Sequence, residues 1–327
     1  MKSRIARAPL ALALAPLLVA CTIDESLDTL EFRTTFGCSN CGNNSSNSAH
    51  ANLYPISTLS LLGAANDDGI RVVGIKSPGG LSYRLRTVGD DLAAFNPVTN
   101  TVVAQGAGLI GWDIHVVDGE GGHEEIRVFG YDPYIPSWAS GAAPISGYAL
   151  AYEDPNQPGE YLSVCPESLS DPGEIAVTVI RGEVYDEATK EAIPAPDWIT
   201  IACFGNAVAK MKLMNYGPQS DFGGGAPATL DQRQATLRMI TADYCGDGTS
   251  FTADGTLLDW KNSAATLVPA GAPAFDDVEA VWTKSGALCL GTPRLAERWE
   301  VDAYCTIPKC EESDLDLPHE WITWKKP

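Results

Sequence analysis

From about Leu53 onward the chain is written in short alternating runs separated by turn residues. Ile70–Ile75 and Ser82–Arg86 alternate apolar and polar positions, as half-buried strands do. Trp112–Val117 and Glu125–Phe129 flank Asp118-Gly119-Glu120-Gly121-Gly122, whose turn chemistry predicts a hairpin. In that hairpin Val117 faces His123 and His115 faces Glu125. Residues 131–144, rich in Pro, Tyr and Gly, read as a linker. Strands are predicted again at 147–152, 160–164, 175–185 and 198–203. Two helices follow, one over Asn206–Asn215 and one capped by Thr229 and running toward Ala242. Loops and short strands return after Gly246. The fold class is therefore α+β or mainly β: a short-stranded β-rich N-terminal region, then a disulfide-stabilised C-terminal domain with two short helices. Four segments are expected: 1–20 a leader, 21–52 a polar tether, 53–144 the β-rich region and 145–327 the second domain. The tether reading rests on Asn43-Asn44-Ser45-Ser46-Asn47-Ser48, which has nothing apolar to bury.

The first twenty residues set the expected address. Lys2, Arg4 and Arg7 precede an apolar stretch from Ala8 to Ala20. Thirteen residues make a helix of roughly 20 Å, short of the ~30 Å hydrocarbon core of a bilayer. That is the form of a secretory signal peptide. It ends Leu18-Val19-Ala20-Cys21, which resembles a bacterial lipobox and makes Cys21 the expected lipidated residue. Several acyl chains on one residue exceed what stable anchoring needs. Thr22 follows Cys21, so the Asp that retains some lipoproteins at the inner membrane is absent and the outer membrane is favoured. Lys+Arg is 22 against Asp+Glu 42, a net charge of −20. So acidic a chain is a poor partner for nucleic acid or for anionic lipid surfaces.

Cysteine counting agrees with export. Nine Cys are present, and lipidation of Cys21 leaves eight: Cys38, Cys41, Cys165, Cys203, Cys245, Cys289, Cys305 and Cys310. Eight can form four disulfides in an oxidising compartment, with 105 possible connectivities. Sequence alone does not choose among them; the pairs taken as the expectation are Cys38–Cys41, Cys165–Cys203, Cys245–Cys289 and Cys305–Cys310. Cys38-x-x-Cys41 with His50 also has the outline of a zinc knuckle or redox pair, although a second Cys-x-x-Cys is lacking.

The segment Ala242-Asp243-Tyr244-Cys245-Gly246-Asp247-Gly248 carries the most specific mark in the chain. With Thr252, Asp254-Gly255-Thr256 and Asp259, then Ala280-Val281-Trp282-Thr283, Gly286-Ala287-Leu288-Cys289 and Pro293-Arg294, it resembles the ADYC-domain family of bacterial exported proteins. Upstream, Cys203 with Ala207 and Lys210 resembles the family's Cys-helix-Lys stretch. The resemblance covers roughly residues 145–310. Family members often carry Cys where this chain has Met211 and Thr236, which implies one helix-to-helix disulfide lost as a pair. The resemblance implies an envelope location and a disulfide-bearing domain, and no activity. Physically the motif reads as a helix end and a turn. Tyr244 is expected to bury its ring and pair its hydroxyl, Asp243 to accept backbone N–H groups, and Gly246 to take a positive φ.

Two cation sites are conceivable. Asp243, Asp247, Asp254 and Asp259 could surround calcium, although their spacing is not that of an EF-hand. Asp113, His115, His123 and Glu125 share one hairpin face and could hold zinc or a similar ion. Neither outweighs its ordinary reading, a helix-stop turn in the first case and a solvated sheet face in the second. Gly-x-Ser-x-Gly, His-Glu-x-x-His and Walker patterns are absent. The expectation is a lipid-anchored envelope module that binds or braces a protein or glycan partner. Trp321, Trp324 and Tyr134 are possible anchors for that partner, or ordinary core. The alternative is a calcium-type enzyme or calcium-binding domain.

Overall fold

The computed structural model describes residues 41–166, 173–222, 225–269 and 271–326. It is mostly β, with 38% of residues in strands and 13% in helices. Eleven strands form one sheet: β1 Thr58–Ser60, β2 Arg71–Lys76, β3 Ser82–Val88, β4 Asp91–Phe95, β5 Val102–Gln105, β6 Asp113–Val117, β7 His123–Ile135, β8 Ile145–Glu153, β9 Tyr161–Ser163, β10 Val177–Tyr185 and β11 Ala192–Cys203. Their order is β1-β11-β10-β8-β7-β6-β2-β3-β4-β5, with β9 pairing the end of β8 off this path. Helix α1 spans Ala207–Leu213 and α2 spans Leu230–Thr241. Strands β12 Leu258–Asn262, β13 Val278–Thr283, β14 Gly286–Leu290 and β15 Trp321–Lys325 make a second sheet, in the order β12-β15-β13-β14. A short helix, α3, lies at Arg298–Asp302.

Alternation places the core. Ile114 and Val116 on β6, Ile126 and Val128 on β7, and Leu150 on β8 are fully buried on one face of the large sheet. Their register is the one expected from the turn: Val117 opposite His123 and His115 opposite Glu125. A second core gathers α1, α2 and the inner face of the small sheet around Tyr216, Tyr244, Trp282 and Trp321.

The large sheet runs through the boundary expected after residue 144, because β7 and β8 pair directly across it. The expected linker begins inside β7, which continues to Ile135.

The tether reading fails for residues 41–52. Asn43, Ser46, Ala49 and Ala51 are buried. Asn47 acts as a surrogate strand: its Nδ2 donates to Ile201 O at 2.6 Å and its Oδ1 accepts from Cys203 N at 3.1 Å. The carbonyls of Ser45 and Ser46 accept from Ala207 N and Val208 N at 3.1 Å each. Those amides open α1, whose N-cap Asn206 makes no side-chain capping bond. Polar composition signalled a tether. Orphan donors at a helix start instead recruited the polar segment as their acceptor.

Candidate functional site

Helix α2 starts as its sequence requires. Thr229 Oγ1 accepts from Gln232 N at 3.2 Å and Gln232 Oε1 accepts from Thr229 N at 2.9 Å, a complete capping box. It ends at Ala242, which adopts the left-handed conformation with φ 51°. The next residue collects the turn. Asp243 accepts from Gly246 N at 2.8 Å, Asp247 N at 3.1 Å and Gly248 N at 3.0 Å, and pairs with the Arg238 guanidinium. Gly246 has φ +73°, and a Cβ there would stand 2.2 Å from Ser285 O. Only glycine admits both the backbone angle and that approach.

Tyr244 follows into the core. Its ring stacks on Trp282 with centroids 5.2 Å apart. Its hydroxyl donates to Glu279 Oε1 at 2.6 Å and accepts from Arg294 N at 3.0 Å. Arg294 Nε donates to the same Glu279 Oε1 at 2.6 Å, and both side chains have 0% exposure. The guanidinium also donates to Ile240 O at 2.9 Å and to Met239 O, two carbonyls at the C-terminal end of α2. A cation there complements the helix dipole and adds a second donor to carbonyls that each accept one backbone N–H. Cys245 then bonds to Cys305. The four motif residues thus turn the chain, tie α2 to β13, and staple the turn to the segment after α3. Burial and the Glu279 carboxylate hold the Tyr244 hydroxyl well above the usual phenol range, which keeps its proton in place to donate to that carboxylate.

The acids proposed for calcium are not brought together. Asp254 accepts from Asn44 N at 3.2 Å, Asp259 pairs with Lys326 at 3.0 Å, and Asp243 is enclosed as described. Among the described residues no group of three or more His, Cys, Asp and Glu is arranged to hold a metal ion. The hairpin set divides similarly: Asp113 pairs with Arg127 at 2.8 Å, and His115 lies 3.3 Å from Glu125. His50 Nδ1 lies 3.2 Å from Ser48 O. Trp321 and Trp324 are buried, and Tyr134 is exposed.

Disulfide Cys165–Cys203 is as expected. Two others are exchanged relative to expectation: Cys245 pairs with Cys305 and Cys289 with Cys310. The reason is strand direction. Cys289 lies on β14, whose Leu290 forms a bridge with Lys309, so Cys310 is its spatial neighbour. Cys41 is also disulfide-bonded; Cys38 and Cys21 lie outside the described residues.

The family model for the ADYC domain matches residues 106–296. The chain belongs to the ADYC domain family. The match begins well upstream of the region that the motif blocks alone suggested, inside the large sheet and before β6. No curated protein and no solved structure matches. In this ADYC domain Met211 and Thr236, the positions of the implied lost disulfide, are both buried. Thr236 Oγ1 accepts from Trp321 Nε1 at 2.8 Å, which ties α2 to the small sheet. Sequence reasoning missed the Glu279–Arg294 pair. The only hint was Pro293-Arg294 at the end of the last motif block.

A second buried acid belongs to the same core. Glu320 accepts from Tyr216 Oη and from Ser263 Oγ at 3.1 Å, and burial raises its pKa above the ordinary 4.5. A carboxyl raised in the fold binds its proton more tightly there than in the unfolded chain. Its stability contribution is therefore full below the ordinary value and is lost as pH rises through the folded value. Glu320→Gln should flatten that decline. Urea midpoints of the two proteins measured from pH 4 to 8 test it, and parallel curves would count against the assignment.

Proposed function

We propose that the mature protein is a lipid-anchored module of the bacterial cell envelope that binds or braces a protein or glycan partner. The observation that carries this reading is the use made of the family signature. Asp243, Tyr244 and Cys245, with Glu279 and Arg294, are committed to turn, core and staple, so what the signature preserves is a rigid scaffold. The Leu18-Val19-Ala20-Cys21 run supports the anchor, and the disulfides support an oxidising compartment. The outer membrane is favoured because Thr22, not Asp, follows Cys21.

Replacing Cys21 with Ser should move the protein from the membrane pellet to the soluble fraction of lysed cells. A mutant that still sediments with membranes as fully as wild type would rule out lipid as the anchor. Crosslinking in cells, with Cys21→Ser as control, then tests the module itself. A reproducible envelope partner seen only with the anchored protein is the expected result.

A further inference from the structure

The large sheet and the helical half meet around a cleft of ≈ 520 Å³. One wall is the turn between β3 and β4, carrying Asp90 and Asp91. The facing wall is the end of α1 and the loop after it, carrying Lys212, Asn215 and Gln219. Lys212 is almost fully buried; its Nζ pairs with Asp90 Oδ2 at 2.8 Å and donates to Val179 O, which takes two of its three N–H donors. Tyr131 Oη donates to Asp91 Oδ2 at 2.9 Å, leaving that carboxylate further acceptor capacity. Asn215 Nδ2 donates to Asp221 O at 2.7 Å, which fixes the loop on the rim. A volume of this size is that of a small-molecule site, and it sits where two cores adjoin.

We infer that this cleft binds a neutral saccharide. Lys212 neutralises Asp90, and Asp91 then leaves that wall net negative, so an anion is repelled. Among the described residues a bare metal ion finds no convergent set of ligands here. An organic cation would find only Asp91 to answer it, because Asp90 is already paired with Lys212. Each hydroxyl of a sugar both donates and accepts, which matches carboxylates and amide or ammonium donors lining one space. Val88, Pro133 and Ile145 offer apolar surface for the C–H faces of a sugar ring. The inference rests on the binding-module reading and narrows its partner to a glycan.

The test uses the mature chain carrying Cys21→Ser. Cellobiose, maltose and diacetylchitobiose at millimolar concentration are the free-sugar probes, read by saturation-transfer NMR. Cosedimentation with purified insoluble cell-wall glycan is the polymer arm. Gln219→Trp places a bulky ring on an exposed rim position, so it blocks the cleft without touching the core, and circular dichroism checks that it folds. Binding in either arm, weakened by about tenfold or more in Gln219→Trp, supports the inference. The arm that responds then identifies the source as a free sugar or a wall polymer. Absence of binding in both arms, or binding that Gln219→Trp leaves unchanged, overturns it. Anchoring is read separately by the Cys21→Ser fractionation, so failure there leaves this result standing, and the reverse also holds.

Discussion

Arg294→Met should lower the stability of the fold by about 3–5 kcal/mol, because it leaves the buried Glu279 carboxylate without its cation. Glu279 and Arg294 are both fully enclosed, and Tyr244 leans on the same oxygen. Glu279→Leu should cost a similar amount by stranding the guanidinium. The double variant should cost much less than the sum of the two, since apolar pairs of matching shape replace buried ion pairs at little cost. Recovery will stop short of wild type for two reasons. The Tyr244 hydroxyl loses its acceptor, and the carbonyls of Met239 and Ile240 lose their guanidinium donor and keep only a backbone one. Adding Tyr244→Phe should restore part of the remainder. Urea titrations of the four variants and wild type measure this directly. Single variants within about 1 kcal/mol of wild type would mean that the pair is not buried in solution.

Removing the Cys245–Cys305 bridge as a Cys245→Ala/Cys305→Ala pair should be comparably damaging. The bridge spans 60 residues, and the chain-entropy model gives such a loop about 4 kcal/mol. That is a large share of the stability of an ordinary domain. The damage should be local as well as global. Cys245 directly follows Tyr244, so hydrogen exchange should quicken first in the Asp243–Gly248 turn and in the end of α2. Equal denaturation midpoints for the variant and wild type would show that the turn holds without its staple.

The two halves of this molecule were legible to different degrees, for physical reasons. Hairpin β6–β7 was readable because Asp118 and its glycines define a turn, and the turn defines the register. Helices α1 and α2 were readable through their apolar spacing and the Thr229 cap. The motif turn was readable because Asp243, Tyr244 and Gly246 each have few physical uses next to a helix end. The cysteine exchange was not, because Cys289 and Cys310 meet only after β14 has paired inside a sheet whose central strand, β15, comes last in the chain. Nor was the role of Asn43–Ser48, since the carbonyls that cap α1 belong to no side chain and leave no trace in composition. The Glu279–Arg294 pair is 15 residues apart in sequence and has no local signature. The four acids weighed for calcium are spread out: Asp254 and Asp259 face different partners on different elements.

The order of the strands has a consequence for anyone who would shorten this protein. The family match, 106–296, looks like a natural pair of cutting points. Yet β2 to β5 lie before it, and β2 pairs with β6. Strand β15 lies after it and separates β12 from β13 in the small sheet. A fragment cut at those bounds would bare the β6 edge, split the small sheet and lose Trp321 from beneath α2. Exposed edges and missing core favour aggregation over folding. The recognisable stretch is thus a label borne by the larger body and is not itself a piece that stands alone.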